Sequence, residues 1–487
     1  MASMLTSTHL LLAAGFALVQ LVVILRALLV DGRDPMSRAA WVLALLLVPV
    51  LGVVAYLLVG EPRLTRRLRH RALAAADRLV VPARAACAPA VAPREAIPDR
   101  FRAAFRLCEA LSGLPAVTGN AATLAPDSNA AIDAMVAAID GAEQSVHISF
   151  YIWLTDTNGL KVVEALRRAA RRGVTCRVMA DGLGSRALVR SEHWAAMHAA
   201  GVRLQSALPI ARGAIAFLGN RVDLRNHRKI VVVDNRLTFC GSQNCADPEF
   251  RVKPRFAPWV DVMLSFEGPV VLENQLLFAS DWMAETGEDL TGLFATPLPA
   301  PASGQGFPAI AFGTGPDSPK GAMSDVFIAL LGAAEREVVI STPYFVPDTP
   351  LLAAVVACAR RGVDTRLILP ARNDSWAVGA ISRACYPQLL EAGVRIFEFH
   401  GGLLHAKTLV PDRTVALVGS ANMDRRSIDL NFENNILLCS EAVARQVRDR
   451  QDDYLRNATE ILPESLGKRS IPRRLWENTL TMFSPVL

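Results

Sequence analysis

The sequence predicts an α/β chain of two matched α/β sandwich halves related by a pseudo-two-fold, preceded by a two-helix transmembrane hairpin. These observations predict it. The spacing His-x-Lys-x4-Asp occurs twice, at His227-x-Lys229-x4-Asp234 and His405-x-Lys407-x4-Asp412. Each copy is trailed by a small polar cluster, Gly241-Ser242-Gln243-Asn244 and Gly419-Ser420-Ala421-Asn422. One order of strands and helices recurs around both copies, and two long apolar stretches open the chain.

The apolar stretches come first. Leu10–Val30 is interrupted only by Gln20 and Arg26, and Ala39–Val59 carries no charge. As helices over about 10–30 and 39–59, each is long enough for a hydrocarbon core of ~30 Å. Asp31-Gly32-Arg33-Asp34-Pro35 is the turn between them, and the hairpin fills residues 1–62. No Lys or Arg precedes the first stretch, which argues against a cleaved signal peptide. Arg63, Arg66, Arg67, Arg69 and Arg71 follow the second, against Glu61 alone. The positive-inside rule then puts both termini in the cytoplasm and the turn outside, with Arg26, Arg33 and Arg38 weighing the other way. The Arg cluster also suits anionic lipid headgroups.

Residues 63–125 read as a basic helical connector rich in Ala and Arg, with prolines from Pro82 to Pro98. The first half then spans 126–295, a Pro- and Gly-rich linker 296–319, and the second half 320–487 with a C-terminal tail. The halves match piece by piece. Val146–Tyr151 answers Val338–Tyr344, and Arg171-Arg172-Gly173-Val174 answers Arg360-Arg361-Gly362-Val363. The strand from Cys176 to Ala180 answers that from Thr365 to Pro370, and Ala200-Gly201-Val202-Arg203 answers Ala392-Gly393-Val394-Arg395. Strands alternating with helices argue for an α/β sandwich in each half. A repeat this long makes two domains rather than a solenoid.

The motifs sit where a β-branched run, Ile230–Val233, meets a turn. Side chains alternate along a strand, so His227 and Lys229 share one face, as do His405 and Lys407. An imidazole beside an ammonium suits a phosphate diester, with lysine as a point charge on the non-bridging oxygens. Ser242, Asn244, Ser420 and Asn422 are candidate donors to the same oxygens. Asp234 and Asp412 complete the motifs and are counted with their catalytic residues. Their odd offset and turn position read as structural, fixing the turn or the join between halves. Asp261 and Glu433, each about one hairpin beyond its motif, are candidates for orienting the imidazoles. A lone His beside an apolar strand is ordinarily a core residue, but two with matched Lys and Gly-Ser-x-Asn tails are not. Gathering four basic groups should depress both imidazoles.

Eight cysteines show no C-x-x-C pair or Cys/His ligand spacing, so they read as small core residues in a reduced compartment, with no metal. A net charge of only +6 gives no argument for nucleic acid as a partner.

The doubled motif resembles the phospholipase D superfamily. Asn226-His227-Arg228-Lys229, Asp281–Gly287, Leu404-His405-Ala406-Lys407, the N-terminal hairpin and the ending Leu475-Trp476-Glu477-Asn478 through Phe483-Ser484-Pro485 resemble bacterial cardiolipin synthases along nearly the whole chain. The resemblance implies two phospholipase D-like sandwiches meeting at one cleft, without metal or cofactor. One His attacks phosphorus and the other serves as acid and base. It further implies transfer of a phosphatidyl group between two phosphatidylglycerols, releasing glycerol, in a bacterial inner membrane. His227 is favoured as nucleophile and His405 as acid/base. A membrane-bound phospholipase D, a nuclease, a lipid-binding scaffold and a transferase using phosphatidylethanolamine are the rivals. The tail from Arg473 to Leu487 reads either as an interfacial amphipathic helix or as packed on the catalytic body.

Overall fold

A computed structural model describes residues 2–31, 33, 35–61, 66–209, 223–250, 252–296, 306–467 and 470–483. Strands of the first half are β1 (Val117–Leu124), β2 (Ser145–Phe150), β3 (Thr175–Asp181), β4 (Arg203–Ala207), β5 (Lys229–Val233), β6 (Leu237–Gly241), β7 (Trp259–Val260) and β8 (Met263–Glu267). Those of the second are β9 (Phe307–Thr314), β10 (Glu337–Ser341), β11 (Phe345–Val346), β12 (Asp364–Pro370), β13 (Arg395–Phe399), β14 (Leu403–Leu404), β15 (Thr408–Pro411), β16 (Val415–Gly419), β17 (Met423–Asp424), β18 (Glu433–Cys439) and β19 (Ala458–Ile461). One ladder runs β4-β3-β2-β5-β6-β8-β1, then β9-β18-β16-β15-β10-β12-β13-β19. The second list mirrors the first, strand for strand, until β19. In each half three parallel strands, linked by helices, meet the motif hairpin antiparallel.

The halves join along β1 and β9, which run antiparallel with a register shift between Val117 and Asn120. Asn120 Nδ2 closes the irregularity by donating to the carbonyls of Val117 (2.8 Å) and Phe307 (3.0 Å).

Two boundaries differ from the sequence reading. The second half begins at β9, inside the segment read as linker; residues 297–305 of that segment lie outside the described residues. The segment read as a connector is part of the body. Its helix Arg66–Cys87 buries Ala75, Leu79, Ala83 and Ala86 in a core shared with the helix Val270–Thr286. Its helix Arg102–Ser112 buries Phe105 and Cys108 in the core of the second half, against β9. The apolar face of each helix finds its cover there, and β1 completes the sheet.

The first apolar stretch is a helix, Ala2–Leu29, whose part from Thr8 to Leu29 is long and apolar enough to cross a membrane. The second is not one helix. Pro49 breaks it into Pro35–Leu47 and Pro49–Val59, because proline has no N–H to continue the ladder. Gly32, Asp34 and Arg63 lie outside the described residues.

Both motif hairpins turn on two residues in the left-handed region, Asp234-Asn235 and Asp412-Arg413 (φ +52° to +56°). Asp234 accepts from the backbone N–H groups of Glu143, Gln144 and Ser145 at 2.7–2.9 Å. Asp412 accepts from those of Glu335, Arg336 and Glu337 at 2.8–3.0 Å and pairs with Arg100 at 3.1 Å. Each carboxylate thus ties its own hairpin tip to the start of the neighbouring strand within one half. Asp412→Ala should lower stability by about 3 kcal/mol, since Arg100 and three N–H groups lose a buried anion. Thermal unfolding in detergent checks this; an unchanged midpoint would exclude the clamp.

Candidate active site

His227 and His405 precede the motif strands, and each is held by the opposite half. His227 N–H donates to the Phe432 carbonyl (2.9 Å), and Phe432 N–H donates to that of Arg225 (3.0 Å). On the other side, His405 N–H donates to Val260 (2.8 Å) and Leu403 N–H to Pro258 (2.9 Å), pairing β14 with β7 in parallel. Gly402 permits that approach. Its φ is +117°, and a Cβ there would meet the Pro258 carbonyl oxygen at 2.1 Å.

These short ladders set the carboxylates. His227 Nδ1 lies 2.8 and 3.0 Å from the two oxygens of Glu433, and His405 Nδ1 lies 2.6 Å from Asp261 Oδ1. The pairs cross between the halves: the carboxylate of the second half holds the imidazole of the first, and the reverse.

Burial pushes both imidazoles down to about 4, with Lys229 and Lys407 adding to the shift and the carboxylates opposing it. Burial alone would raise Asp261, but His405, Lys407 and Ser242 outweigh it and hold it at about 2. Burial is likewise outweighed at Glu433, which is lowered chiefly by His227 and Lys229. At neutral pH each pair is therefore a carboxylate facing a neutral ring. An ionised carboxylate only accepts, so Nδ1 carries the hydrogen and Nε2 keeps its lone pair.

The serines are placed differently from the sequence reading. Ser242 Oγ donates to Asp261 (2.6 Å) and Ser420 Oγ donates to Glu433, so both hydroxyls hold carboxylates rather than facing phosphate. Ser427 Oγ (2.8 Å) and Asn431 Nδ2 (3.4 Å) complete the shell around Glu433. Asn422 Nδ2 donates to Ser427 (3.2 Å), while Asn244 Oδ1 accepts from Ile152 N–H (3.3 Å). Asp234 and Asp412 are occupied at the hairpin tips. Arg228, on the opposite strand face from His227, pairs with Asp281 at 2.6 Å, and Asn226 donates to the same carboxylate at 3.0 Å.

Lys229 and Lys407 point with their imidazoles. Each ammonium donates to the carbonyl of its own motif His at 2.7 Å, leaving two hydrogens for other acceptors. Burial lowers Lys229 to about 8 and Lys407 to about 7. Lys407 acts on His227 and Lys229 on His405, so the four basic groups share one site. Two rings flank it unforeseen: Tyr151 packs edge-on to His227 (4.9 Å between centroids) and Trp259 leans on His405 (4.6 Å). The doubled strand ends at Tyr151 and Tyr344 were a sequence signal for the first.

Two His-Lys pairs, each His with a crossed carboxylate, define a phospholipase D-type site for phosphodiester transfer. Comparison with known proteins narrows the class. The family described as "Cardiolipin synthase, PLD-like domain" matches residues 135–253 and 327–453, and "Phospholipase D-nuclease N-terminal" matches residues 16–61. The chain is 36% identical over 478 residues to Cardiolipin synthase A of Salmonella paratyphi B and of Salmonella newport, covering 94% of this chain and 95% of each relative. The phosphatidylserine synthase structure of Haemophilus influenzae shares the fold, with a TM-score of 0.57 at 14% identity over 79% of this chain and all of that one. The chain belongs to the phospholipase D-like cardiolipin synthase family. It is a phospholipid transferase, and its apolar N-terminal helix fits a membrane protein.

Proposed function

We propose that the chain makes cardiolipin from two phosphatidylglycerols, using His227 as nucleophile and His405 as acid and base. The observation that carries this is the pair of crossed imidazole–carboxylate units, each with an Nε2 that has no hydrogen-bond partner among the described residues and a buried ammonium beside it. His227 Nε2 attacks the phosphorus of the first lipid. The bond from phosphorus to the glycerol headgroup breaks, and His405 gives that oxygen its proton. A primary hydroxyl of the second lipid then loses its proton to His405 and attacks, breaking the phosphorus–His227 bond. Lys229 and Lys407 hold the non-bridging oxygens. The entering diester brings a negative charge, which raises the ring that must act as acid. Glu433 and Asp261 fix the tautomers and steady the cations that form. Ser242 and Ser420 act through these carboxylates, and the Asn244 amide is the remaining candidate for a phosphate oxygen.

Purified protein in micelles of phosphatidylglycerol should release one glycerol per cardiolipin. Phosphatidic acid as the main product would make it a hydrolase instead, and ethanolamine release from phosphatidylethanolamine would mark the rival donor.

The pH profile follows from the four groups. His227 is protonated below about 4, which blocks its attack, and Lys407 and Lys229 lose charge above about 7 and 8. So kcat/KM should rise above pH 4 and fall on the alkaline side from near 7. A profile still climbing at pH 9 would exclude charged lysines from the step.

The setting we propose is a bacterial inner membrane, with the catalytic body on the cytoplasmic side facing anionic lipid. The Arg-rich segment after Glu61 supports it.

A further inference from the structure

We infer that the second apolar stretch is a re-entrant hairpin confined to the leaflet on the catalytic side, so that the chain crosses the bilayer once. The inference rests on the membrane reading above. It comes from how Pro35–Leu47 and Pro49–Val59 fold back on each other. The rings of Trp41 and Tyr56, fifteen positions apart in sequence, meet edge-on at 5.1 Å. At 1.5 Å per residue a continuous helix would hold them roughly 22 Å apart. Gly52 makes the fold-back possible, since a Cβ there would lie 2.7 Å from the Ala44 carbonyl oxygen.

The two ends of the stretch lie at one level. Arg33, before it, donates to the Gly60 carbonyl behind it, and Arg26 pairs with Glu61 through two hydrogen bonds of 2.7 and 3.0 Å. Tyr56 OH also donates to Glu61 at 2.8 Å. In a two-span hairpin Arg26 and Glu61 would stand on opposite faces of the membrane. The arms have 13 and 11 residues, or about 20 and 17 Å, too short for a ~30 Å core.

The tip is built for hydrocarbon. Pro49 leaves the Leu45 carbonyl without its helical donor, and Gln20 Nε2 of the long helix supplies one at 2.8 Å. Leu46, Leu47, Val50, Leu51 and Val54 stay exposed, the surface an acyl-chain partner would cover. Charge agrees. Arg26, Arg33 and Arg38, which oppose the positive-inside rule in a two-span hairpin, now join Arg69 and Arg71 on the catalytic side. The start of the chain, uncharged from Ala2 to Thr8, lies across the membrane.

Variants that each add one cysteine to the full chain, Ser3→Cys, Asp31→Cys and Glu464→Cys, labelled with an impermeant maleimide on spheroplasts and on inverted vesicles, test this, with the unmodified chain and its eight native cysteines as the background to subtract. Asp31→Cys should label from the same side as Glu464→Cys, and Ser3→Cys from the opposite side. Ser3→Cys labelling with Glu464→Cys while Asp31→Cys labels from the other side would restore two spans. All three on one side would mean no crossing. Either pattern overturns the hairpin. Cardiolipin formation assayed in the same membranes separates the readings, since it stays intact if only the topology is wrong.

Discussion

His227→Ala should abolish turnover, by about 10⁴-fold or more, and His405→Ala should do nearly the same for a different reason. The two defects separate with a phosphatidyl donor whose leaving group is nitrophenolate, which departs without needing a proton. His405→Ala then gives one equivalent of nitrophenolate and stalls, because no base activates the acceptor hydroxyl. Its intact mass should rise by one phosphatidyl group. His227→Ala has no nucleophile and gives neither burst nor adduct. The reverse pattern would exchange the roles, and full activity in either variant would refute the site. Retained thermal stability shows that both variants fold.

The doubled motif and the strand and helix order were legible in the chain because both are local. Spacing of two on a strand puts His227 beside Lys229, and matched Arg-Arg-Gly-Val turns mark equivalent helix ends. The crossed carboxylates were half legible. Asp261 and Glu433 stood out by their position, but which imidazole each holds depends on β7 meeting β14 and on Phe432 meeting the strand before His227. Those pairings join residues 144 and 206 positions apart, and no periodicity records them. The serines were misread for the same reason: from sequence, a hydroxyl beside a phosphate site looks like a phosphate donor. The N-terminal break was written in Pro49 and Gly52, yet a hydropathy count sees only apolar length. Gln20, an interruption in that count, proves to be the donor that Pro49 makes necessary.

The crossing itself makes the second large prediction. Asp261→Asn keeps the shape but removes the anion that holds the Nδ1 hydrogen of His405, so the ring can turn its other tautomer to the site. A loss in kcat of about 10²- to 10⁴-fold is expected, as when a catalytic imidazole loses its orienting carboxylate. The partner of that loss is the decisive quantity. Combined with His405→Ala, Asp261→Asn should cost almost nothing further, because the ring it orients is already gone. Glu433→Gln should behave in the same way toward His227→Ala. Pairing within each half would instead couple Asp261 to His227, and a cycle showing that would break the crossed arrangement. The crossed result has a consequence for the duplicated architecture. Neither half holds a complete imidazole–carboxylate unit, so a half folded alone would carry its His and Lys but not the anion that fixes the ring. Catalysis then depends on the β1–β9 seam, and substitutions that loosen Asn120 there should lower kcat without touching the site.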